Sequence, residues 1–388
     1  MRKRICMFPL ILVFISGCWD RVEVNDLAFV TGTALDLSES GNLICSLQIA
    51  IPASTEGGSS SGGSSEPGKS FILTAEGKNG NDIHRLLQKK SSRRLFFSHR
   101  GVVFISERLA KHGLHEALDV FTHDPRNRLK TYIVVVKGSE ARKIFQIKYP
   151  LKQVSIEAVK EMEGSGDDVA VTLRDFFISL LSEGVNPVLG VIEPDHSQVE
   201  SQEQLFKFAG AGVFKDLKLS GILDDKETMG LLWITNKLKM ARVTAKVPKD
   251  AGEIGMLLTH AEGKIISQRN NDSVQFQIRL KGQGNLAENN SSLKIADPED
   301  LTRIKNALEA AVKKQVQDLI DKIQNQYKVD CVGFGQEIYR SDPEKWRVLK
   351  NQWDTRFPKA DISIVVDLTV NGAGMVNSTF ELQQKENK

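Results

Sequence analysis

DPEDLTRIKNALEAAVKKQVQDLIDKIQNQY, residues 297–327, is the clearest secondary-structure signal in this chain of 388 residues. Asp297 is a typical N-cap residue, Pro298 suits a first turn, and Glu299 and Asp300 complement the positive end of a helix dipole. The apolar residues would form one stripe of such a helix: Leu301, Ile304, Leu308, Val312, Leu319 and Ile323. We therefore predict a long helix that buries one face.

The segments around this helix predict an antiparallel sheet. DISIVVDLTV, residues 361–370, alternates apolar and polar positions with a strict period of two, which is typical of a strand. The other predicted elements of this half are strands within 208–223, 263–270 and 273–284, and helices at 224–237 and 342–353. We expect residues 204–388 to form an antiparallel α+β domain with the long helix packed against its sheet.

The first half of the chain alternates strands with helices. A predicted hairpin at 26–52 precedes a Gly/Ser-rich segment at 54–70, which we interpret as a mobile loop within the domain. KTYIVVVKG, residues 130–138, predicts a strand buried on both faces. Further elements are predicted as a strand at 95–106 and helices at 79–90, 106–123, 139–146 and 154–181.

This order favours a mixed α/β domain with some parallel pairing over residues 26–198. The polar segment 192–204 is interpreted as the boundary between the two domains. The expected fold class is therefore α+β, an N-terminal mixed α/β domain followed by an antiparallel-sheet domain with one long packed helix.

The first eighteen residues have the three parts of a bacterial lipoprotein signal. A cationic start precedes an apolar run that ends in ISGC, residues 15–18. That run has about half of the roughly 20 residues that a spanning helix needs, so a permanent transmembrane anchor is the poorer interpretation. We predict that residues 1–17 are removed and that Cys18 receives a diacylglyceryl group, whose acyl chains, such as palmitate, hold the protein on a bilayer. The alternative is an ordinary signal peptide with a chance cysteine.

Charge and cysteine content narrow the function classes. The formal net charge of +3 falls to zero when the three cations at positions 2, 3 and 4 leave with the signal peptide, which gives no case for a nucleic-acid partner. After Cys6 is removed and Cys18 is lipidated, only Cys45 and Cys331 remain. We expect both to be buried free thiols rather than a bridge between distant segments.

The chain has no catalytic motif that we recognise, and we expect neither enzymatic activity, a cofactor nor a metal site. The glycines of GAG (210–212) and GFG (333–335) are interpreted as turn or close-packing residues. His112, His115, Asp119 and His123 recur at helical spacing, which suits either a metal site or, as we prefer, a solvated face of a helix whose other residues form apolar core contacts.

A basic cluster, KKSSRR at 89–94 with His99 and Arg100, has two interpretations. It could face anionic lipid headgroups near the tether. Alternatively, Lys89 and Lys90 complement a helix C-terminus and the arginines line an exposed loop, which is the interpretation that the sequence favours.

Several stretches carry a family resemblance that spans nearly the whole mature chain. They are GCWDRVEVNDLAFVTGTALD (17–36), SHRGVVFISERLAKHGL (98–114), FTHDPRNRLKTYIVVVKG (121–138), AGAGVFKDLKLSGILDDKETMGLLW (209–233) and DCVGFGQEIYRSDPEKW (330–346). The sequence resembles the Ger(x)C family, the C subunits of spore germinant receptors in Bacillus and its relatives. The resemblance implies two integral membrane partners, one with a soluble N-terminal domain and one similar to an amino-acid transporter, in the spore inner membrane.

The resemblance also implies a non-enzymatic subunit that takes part in the germination response to nutrients such as amino acids or sugars. Residues 18–25 are then the lipidated tether, at the outer face of that membrane. Its family motif consists of Trp19, Asp20, Arg21, Glu23 and Asn25, which from chemistry alone form a short amphipathic lead-in. The rival interpretation is a solute-binding lipoprotein of a transporter, which would have two similar α/β lobes around a cleft.

Overall fold

Two β-sheets and nine α-helices make up the described part of the chain. The structure is a computed structural model that describes residues 22–51, 70–123, 127–147, 159, 168–195, 205–247, 252–268 and 274–372. The predicted signal peptide, Cys18 and residues 54–69 of the Gly/Ser segment lie outside these ranges.

The strands are β1 Leu27–Leu37, β2 Leu43–Ala50, β3 Ser70–Gly77, β4 Arg94–Phe96, β5 Val102–Ser106, β6 Tyr132–Val136, β7 Val188–Asp195, β8 Leu205–Lys215, β9 Lys218–Leu223, β10 Ala241–Lys246, β11 Glu253–Gln268, β12 Gln275–Asn289 and β13 Asp361–Val370. The α-helices are α1 Gly80–Lys89, α2 Glu107–His112, α3 His115–His123, α4 Leu173–Leu181, α5 Asp225–Ile234, α6 Pro298–Asp321, α7 Phe334–Ser341, α8 Pro343–Leu349 and α9 Trp353–Arg356.

The first sheet is mixed, as the alternation of strands and helices predicts. Its strand order is β3-β2-β1-β5-β6-β7-β8-β9, and β4 pairs with the start of β1. The central pairs β1–β5, β5–β6 and β6–β7 are parallel, whereas the hairpins at both ends are antiparallel. The predicted hairpin at 26–52 is confirmed as β1 and β2.

Strand β6 lies at the centre of this sheet and is covered on both faces. Ile133 and Val135 belong to the main core, while Val134 and Val136 pack into a second cluster on the opposite side. All four side chains are fully buried, which confirms the prediction for residues 130–138.

Two helical predictions in this half need correction. Residues 106–123 form two helices, because Gly113 between α2 and α3 has φ of +132°, which a continuing helix does not allow. Residues 168–172 precede α4 without being helical; of the predicted helix at 154–181, residues 154–158 and 160–167 lie outside the described ranges.

The turn Ala141–Gln146 is a 3₁₀ helix that has no cap from its own N-terminal residue. Its cap comes from β1 instead, where the buried carboxylate of Asp36 accepts the backbone N–H groups of Ala141 and Arg142 at 2.7 and 3.2 Å. Burial raises the pKa of Asp36, and these two hydrogen bonds act against that rise. The carboxylate therefore joins the sheet to the segment after β6.

The second sheet has the order β10-β11-β12-β13 and packs against α6. Helix α6 begins as predicted, since the Asp297 carboxylate accepts the N–H groups of Glu299 and Asp300 and Pro298 occupies the first turn. Its buried stripe consists of Ile304, Ala307, Leu308, Val312, Val316, Leu319 and Ile320. The α-helix ends at Asp321 and continues as one π-helical segment, Lys322–Tyr327.

The second sheet departs from a purely antiparallel arrangement at one edge. Strand β13 runs parallel to β12, while β10–β11 and β11–β12 are antiparallel. A parallel neighbour needs a crossover connection, and the segment with helices α6 to α9 between β12 and β13 provides one.

The first sheet continues past the segment interpreted as the domain boundary. Residues 192–195 belong to β7, where Ile192 pairs with Val136 on one side and Phe208 on the other. Those four residues therefore form part of a strand, while residues 196–204 of the predicted boundary lie outside the described ranges. Strands β8 and β9, which follow the boundary in sequence, add two antiparallel strands to the first sheet, so strand pairing crosses the boundary.

The loop between α4 and β7 contacts the start of α7 through two glycines. Gly184 has φ of +72°, and a Cβ built on it would lie 2.3 Å from the carbonyl carbon of Gly335. The Gln336 N–H donates to the Gly184 carbonyl at 2.9 Å. The backbones of the two sheet-bearing parts thus approach each other at a distance that only glycine permits.

We expect Gly184→Ala to lower the free energy of unfolding by at least about 3 kcal/mol, because a left-handed φ and a backbone clash add together. The matched control is Gly138→Ala. Gly138 has φ of +70°, and no atom lies within 4 Å of the place that its Cβ would take, so it tests backbone conformation alone. For it we expect a loss of about 1 kcal/mol. Equal losses for the two variants, measured by urea unfolding of the full chain, would contradict the close contact.

Candidate functional site at the junction of the two sheets

The structure describes only part of the family motif that follows the predicted lipidation site. Cys18, Trp19, Asp20 and Arg21 lie outside the described residues. Glu23 and Asn25 belong to the first short turn, in which Glu23 precedes the 3₁₀ helix Val24–Asp26 and accepts the Asp26 N–H through its backbone carbonyl at 3.0 Å. Both side chains are exposed and lie directly before β1.

The histidine set does not share one helix. His112 ends α2 and His115 begins α3, and Gly113 separates the two helices. Within the described part of the chain, no group of three or more histidine, cysteine, aspartate or glutamate side chains is arranged to hold a metal ion.

Arg100 does not belong to the exposed basic cluster. Its guanidinium lies over the ring of Phe121 at 4.5 Å and near that of Phe97 at 5.4 Å, and it donates to the hydroxyl of Thr33 at 3.3 Å. It also donates to the Asn127 side chain. Because the side chain is buried, Arg100 stabilises the first sheet through cation–π and hydrogen-bond contacts.

The most densely hydrogen-bonded carboxylate at the junction is that of Asp330, just after the π-helical segment. It accepts the backbone N–H groups of Gly333, Phe334 and Gly335 at 2.8, 3.1 and 2.8 Å. The indole N–H of Trp353 donates to it at 3.1 Å. Burial raises the pKa of Asp330, while the four donors act against that rise.

The carbonyl side of the same turn binds the first sheet. The Asn186 N–H donates to the backbone carbonyl of Asp330 at 2.7 Å. Nearby, the Trp346 indole N–H donates to the Glu183 carboxylate at 2.8 Å. The Asp330 carboxylate therefore stabilises a turn, and the outer surface of that turn contacts the loop between α4 and β7.

Tyr327 makes a second connection between the two parts of the fold. Its hydroxyl donates to the backbone carbonyl of Ile222 in β9 at 2.8 Å, and Gly221 leaves the space for its ring. The neighbouring ion pair of Lys322 and Glu227, at 2.6 Å, is mostly shielded from solvent. The end of the long helix thus contacts the last strand of the first sheet.

A groove of about 950 Å³ lies beside this junction. Its walls come from α4, the segment after α5, β11 and α7. They are partly apolar, with Ile178, Leu238 and Val332, and partly charged, with Lys237, Lys264, Arg340, Asp175 and Glu337. Ile178 is 52% exposed, so the groove presents apolar surface to solvent.

The buried thiols offer no activated nucleophile. Cys45 and Cys331 are both free and buried, as predicted. Burial raises the pKa of Cys45 to about 12 and also raises the pKa of Cys331, so both are neutral thiols near pH 7. Among the buried carboxylates, Asp36 and Asp330 both bind backbone amides, which is a structural role.

Two protein-family models match this chain, one in its N-terminal half and one in its C-terminal half. Residues 20–194 match the spore germination protein N-terminal domain, and residues 209–374 match the C-terminal domain described as spore germination B3/GerAC like. The two domains in this order define a two-domain spore germination protein. The chain belongs to the Ger(x)C family, as the resemblance in its sequence implies.

Similar proteins match along almost their whole length. Spore germination protein KC of Bacillus subtilis is 27% identical over 395 residues and covers 97% of each chain. Spore germination protein B3 of the same organism is 25% identical, over 95% of this chain and 97% of that protein. The crystal structure of the GerBC protein has the same fold, with a TM-score of 0.56 at 20% identity, covering 90% of this chain and 100% of that one.

Sequence reasoning found the glycines of the junction but missed the carboxylate that holds them. Gly333 has φ of +98°, and Gly335 lies against Gly184, which confirms their interpretation as turn and close-packing residues. An aspartate followed by glycines three and five positions later is the signal for a turn closed by a side chain, and DCVGFG contains it.

We expect Asp330→Asn to lower the free energy of unfolding by about 3 kcal/mol, since an amide NH₂ would face N–H donors that now share a carboxylate. The comparison variant is Asp354→Asn, which removes the carboxylate of an exposed ion pair with Lys215 and should cost about 1 kcal/mol or less. Denaturant unfolding of both full-length variants measures the difference. A stability of Asp330→Asn close to that of the unaltered chain would contradict the role of this carboxylate.

Proposed function

We propose that this protein is a lipid-anchored, non-enzymatic subunit of a spore germinant receptor. It acts with two integral membrane subunits, one with a soluble N-terminal domain and one similar to an amino-acid transporter. Its place is the outer face of the spore inner membrane, where the complex responds to nutrients such as amino acids or sugars. The observation that carries this proposal is the match of both germination domains, in order, in a single chain.

The proposed anchor is the diacylglyceryl group on Cys18. Among the described residues, no helix is both long and apolar enough to cross a bilayer. The tripartite signal that ends at Cys18 supports a lipid tether, and two acyl chains bind a membrane stably where one does not. Cys18 lies four residues before Val22, where the described structure begins.

The proposed non-enzymatic role is supported by the state of the buried reactive groups. The two described cysteines are neutral thiols, and the two most buried carboxylates bind backbone N–H groups at distances near 3 Å. These thiols and carboxylates therefore have structural roles. We propose two domains, at residues 26–198 and 204–388. Both would therefore act through contacts with other molecules.

The rival function, a solute-binding lipoprotein, has less support. That class would present two similar α/β lobes around a cleft. Here the first sheet has nine strands with a parallel centre, and the second has four long strands with a single parallel pair. Binding of a free amino acid or sugar in the groove by the isolated protein would favour the rival.

We expect Cys18→Ala to release the protein from the membrane and to abolish most of the nutrient response. Losing both acyl chains should reduce the membrane-bound fraction by more than about tenfold. Membrane fractionation with immunodetection measures the first effect, and the release of dipicolinic acid from nutrient-treated spores measures the second.

Cys6→Ala is the matched control, because it makes the same change within the predicted signal peptide. It should leave both fractionation and germination unchanged. A Cys18→Ala protein that remains on the membrane and supports a full response would refute the proposed anchor.

A further inference from the structure

The start of β1 lies beside the basic cluster, which the sequence alone leaves unplaced. Strand β4 pairs in parallel with β1, so that Arg94 is the partner of Leu27 and Phe96 the partner of Phe29. Only a tertiary contact brings these segments together, since more than sixty residues separate them. Arg94, the last cation of KKSSRR, therefore lies beside the residues that follow the predicted tether.

The charges of this region are exposed. Lys89, Arg93 and Arg94 all have exposed side chains, and neither arginine has an ion-pair partner within the described part of the chain. Lys90 is also exposed, but its ammonium group donates to the carbonyl of Thr74 in β3, which is in register with Ala34 rather than with the start of β1. Among the described residues, the lead-in contributes the exposed carboxylates of Glu23 and Asp26.

Apolar and aromatic side chains accompany these cations. Val22 and Val24 are 46% and 68% exposed, although both are aliphatic. Phe29, Phe96 and His99 form an aromatic cluster with ring centroids 5.4 to 5.8 Å apart. Phe29 and Phe96 are half-buried and His99 is exposed. Cations beside exposed aliphatic and partly exposed aromatic groups are typical of protein surfaces that lie in a membrane interface.

The tether limits how far this surface can be from the lipid. Three residues lie between Cys18 and Val22, and the four residue steps from one to the other span at most about 14 Å in an extended chain. Once Cys18 is lipidated, the start of β1 stays near the headgroups, where the anionic surface potential acts on cations. Screening confines that attraction to about 10 Å at 0.1 M salt, which is comparable to the reach of the tether.

We propose that this surface is a second membrane contact that binds anionic lipid headgroups. We name it the tether-proximal patch and define it by Val22, Val24, Phe29, Arg93, Arg94, Phe96 and His99. This proposal rests on the proposed lipidation of Cys18. It further predicts the orientation of the first sheet, with the start of β1 facing the bilayer.

The first experiment places a fluorophore inside the patch of the lipidated full-length protein. Ser92 is exposed between the cations, and Ser92→Cys can be labelled selectively because the thiols of Cys45 and Cys331 are buried. In phosphatidylcholine vesicles that contain phosphatidylglycerol, we expect the emission of the label to shift to the blue and the shift to decrease with added salt. In pure phosphatidylcholine vesicles, the emission should remain that of the label in water.

The second experiment changes the charges. Arg93→Glu with Arg94→Glu should abolish the blue shift, whereas Lys313→Glu with Lys350→Glu should preserve it. The latter pair makes the same change of charge at exposed positions in α6 and in the turn Lys350–Gln352. Circular dichroism of all variants checks that the fold is retained.

A third measurement separates the patch from the anchor. In a Cys18→Ser protein that is produced from residue 18 onward, without the predicted signal peptide, the patch alone must drive binding to phosphatidylglycerol vesicles. At about fivefold in partition for each cation, removing the charges of Arg93 and Arg94 should weaken this binding by about 25-fold or more. The control pair should change it by less than about twofold.

Each outcome supports or overturns the proposal. A protein that floats with anionic vesicles while its label remains in water keeps its anchor but has no second contact, which overturns the patch. A blue shift that is equal in neutral vesicles and insensitive to Arg93→Glu with Arg94→Glu also overturns it. If the unaltered protein fails to float, the proposed lipid anchor is wrong, and the partition of the Cys18→Ser protein still decides whether the patch binds anionic lipid.

Discussion

The carboxylate of Asp330 is the interaction on which the contact between the two sheets depends. Three backbone N–H groups and one indole N–H converge on it in a buried site. Burying a carboxylate costs free energy that only such donors offset, so the turn has one conformation in which they all point inward. That conformation directs the Asp330 carbonyl and Gly335 outward to the loop at 183–186. This side chain thereby fixes the turn through which the second sheet contacts the loop at 183–186.

Features of the fold with local causes could be predicted from the sequence, and features with distant causes could not. The cap, the dipole-complementing acids and the apolar stripe of α6 all lie within one helix, so its start and its buried face were predictable. The cap of the turn Ala141–Gln146 comes instead from Asp36, 105 residues away from Ala141. Likewise, β13 has the alternation of any strand, and its direction beside β12 depends on the path of the chain through four helices. Gly113 was the local exception, since its ability to end a helix is visible in the sequence.

The same distinction explains what was predictable about the site. The predicted lipoprotein signal that ends at Cys18 is a contiguous pattern, so it can be proposed from sequence without a structure. The basic cluster at 89–94 has two interpretations from sequence alone, because its location depends on the strand with which β4 pairs. Pairing with β1 assigns Arg94 to the neighbourhood of the lead-in, whereas Arg100, only a few residues later, is buried under Phe121. Arg93 and Arg94 are exposed, whereas Arg100 is buried and has a structural role. The sequence alone does not specify this difference in exposure.

The position of β1 within the sheet determines what a lipid tether at Cys18 does to the rest of the molecule. β1 lies between β2 and β5; its first residues, Leu27–Phe29, pair with β4, and from Val30 onward it also pairs with β2 on the other side. A constraint applied there acts on the whole first sheet rather than on an edge strand that could peel away. The sheet extends to β9, where Ile222 accepts the hydroxyl of Tyr327 at the end of the long helix. The proposed anchor at Cys18 would therefore orient both sheets, and with them the groove at their junction, relative to the membrane in which the proposed partners lie.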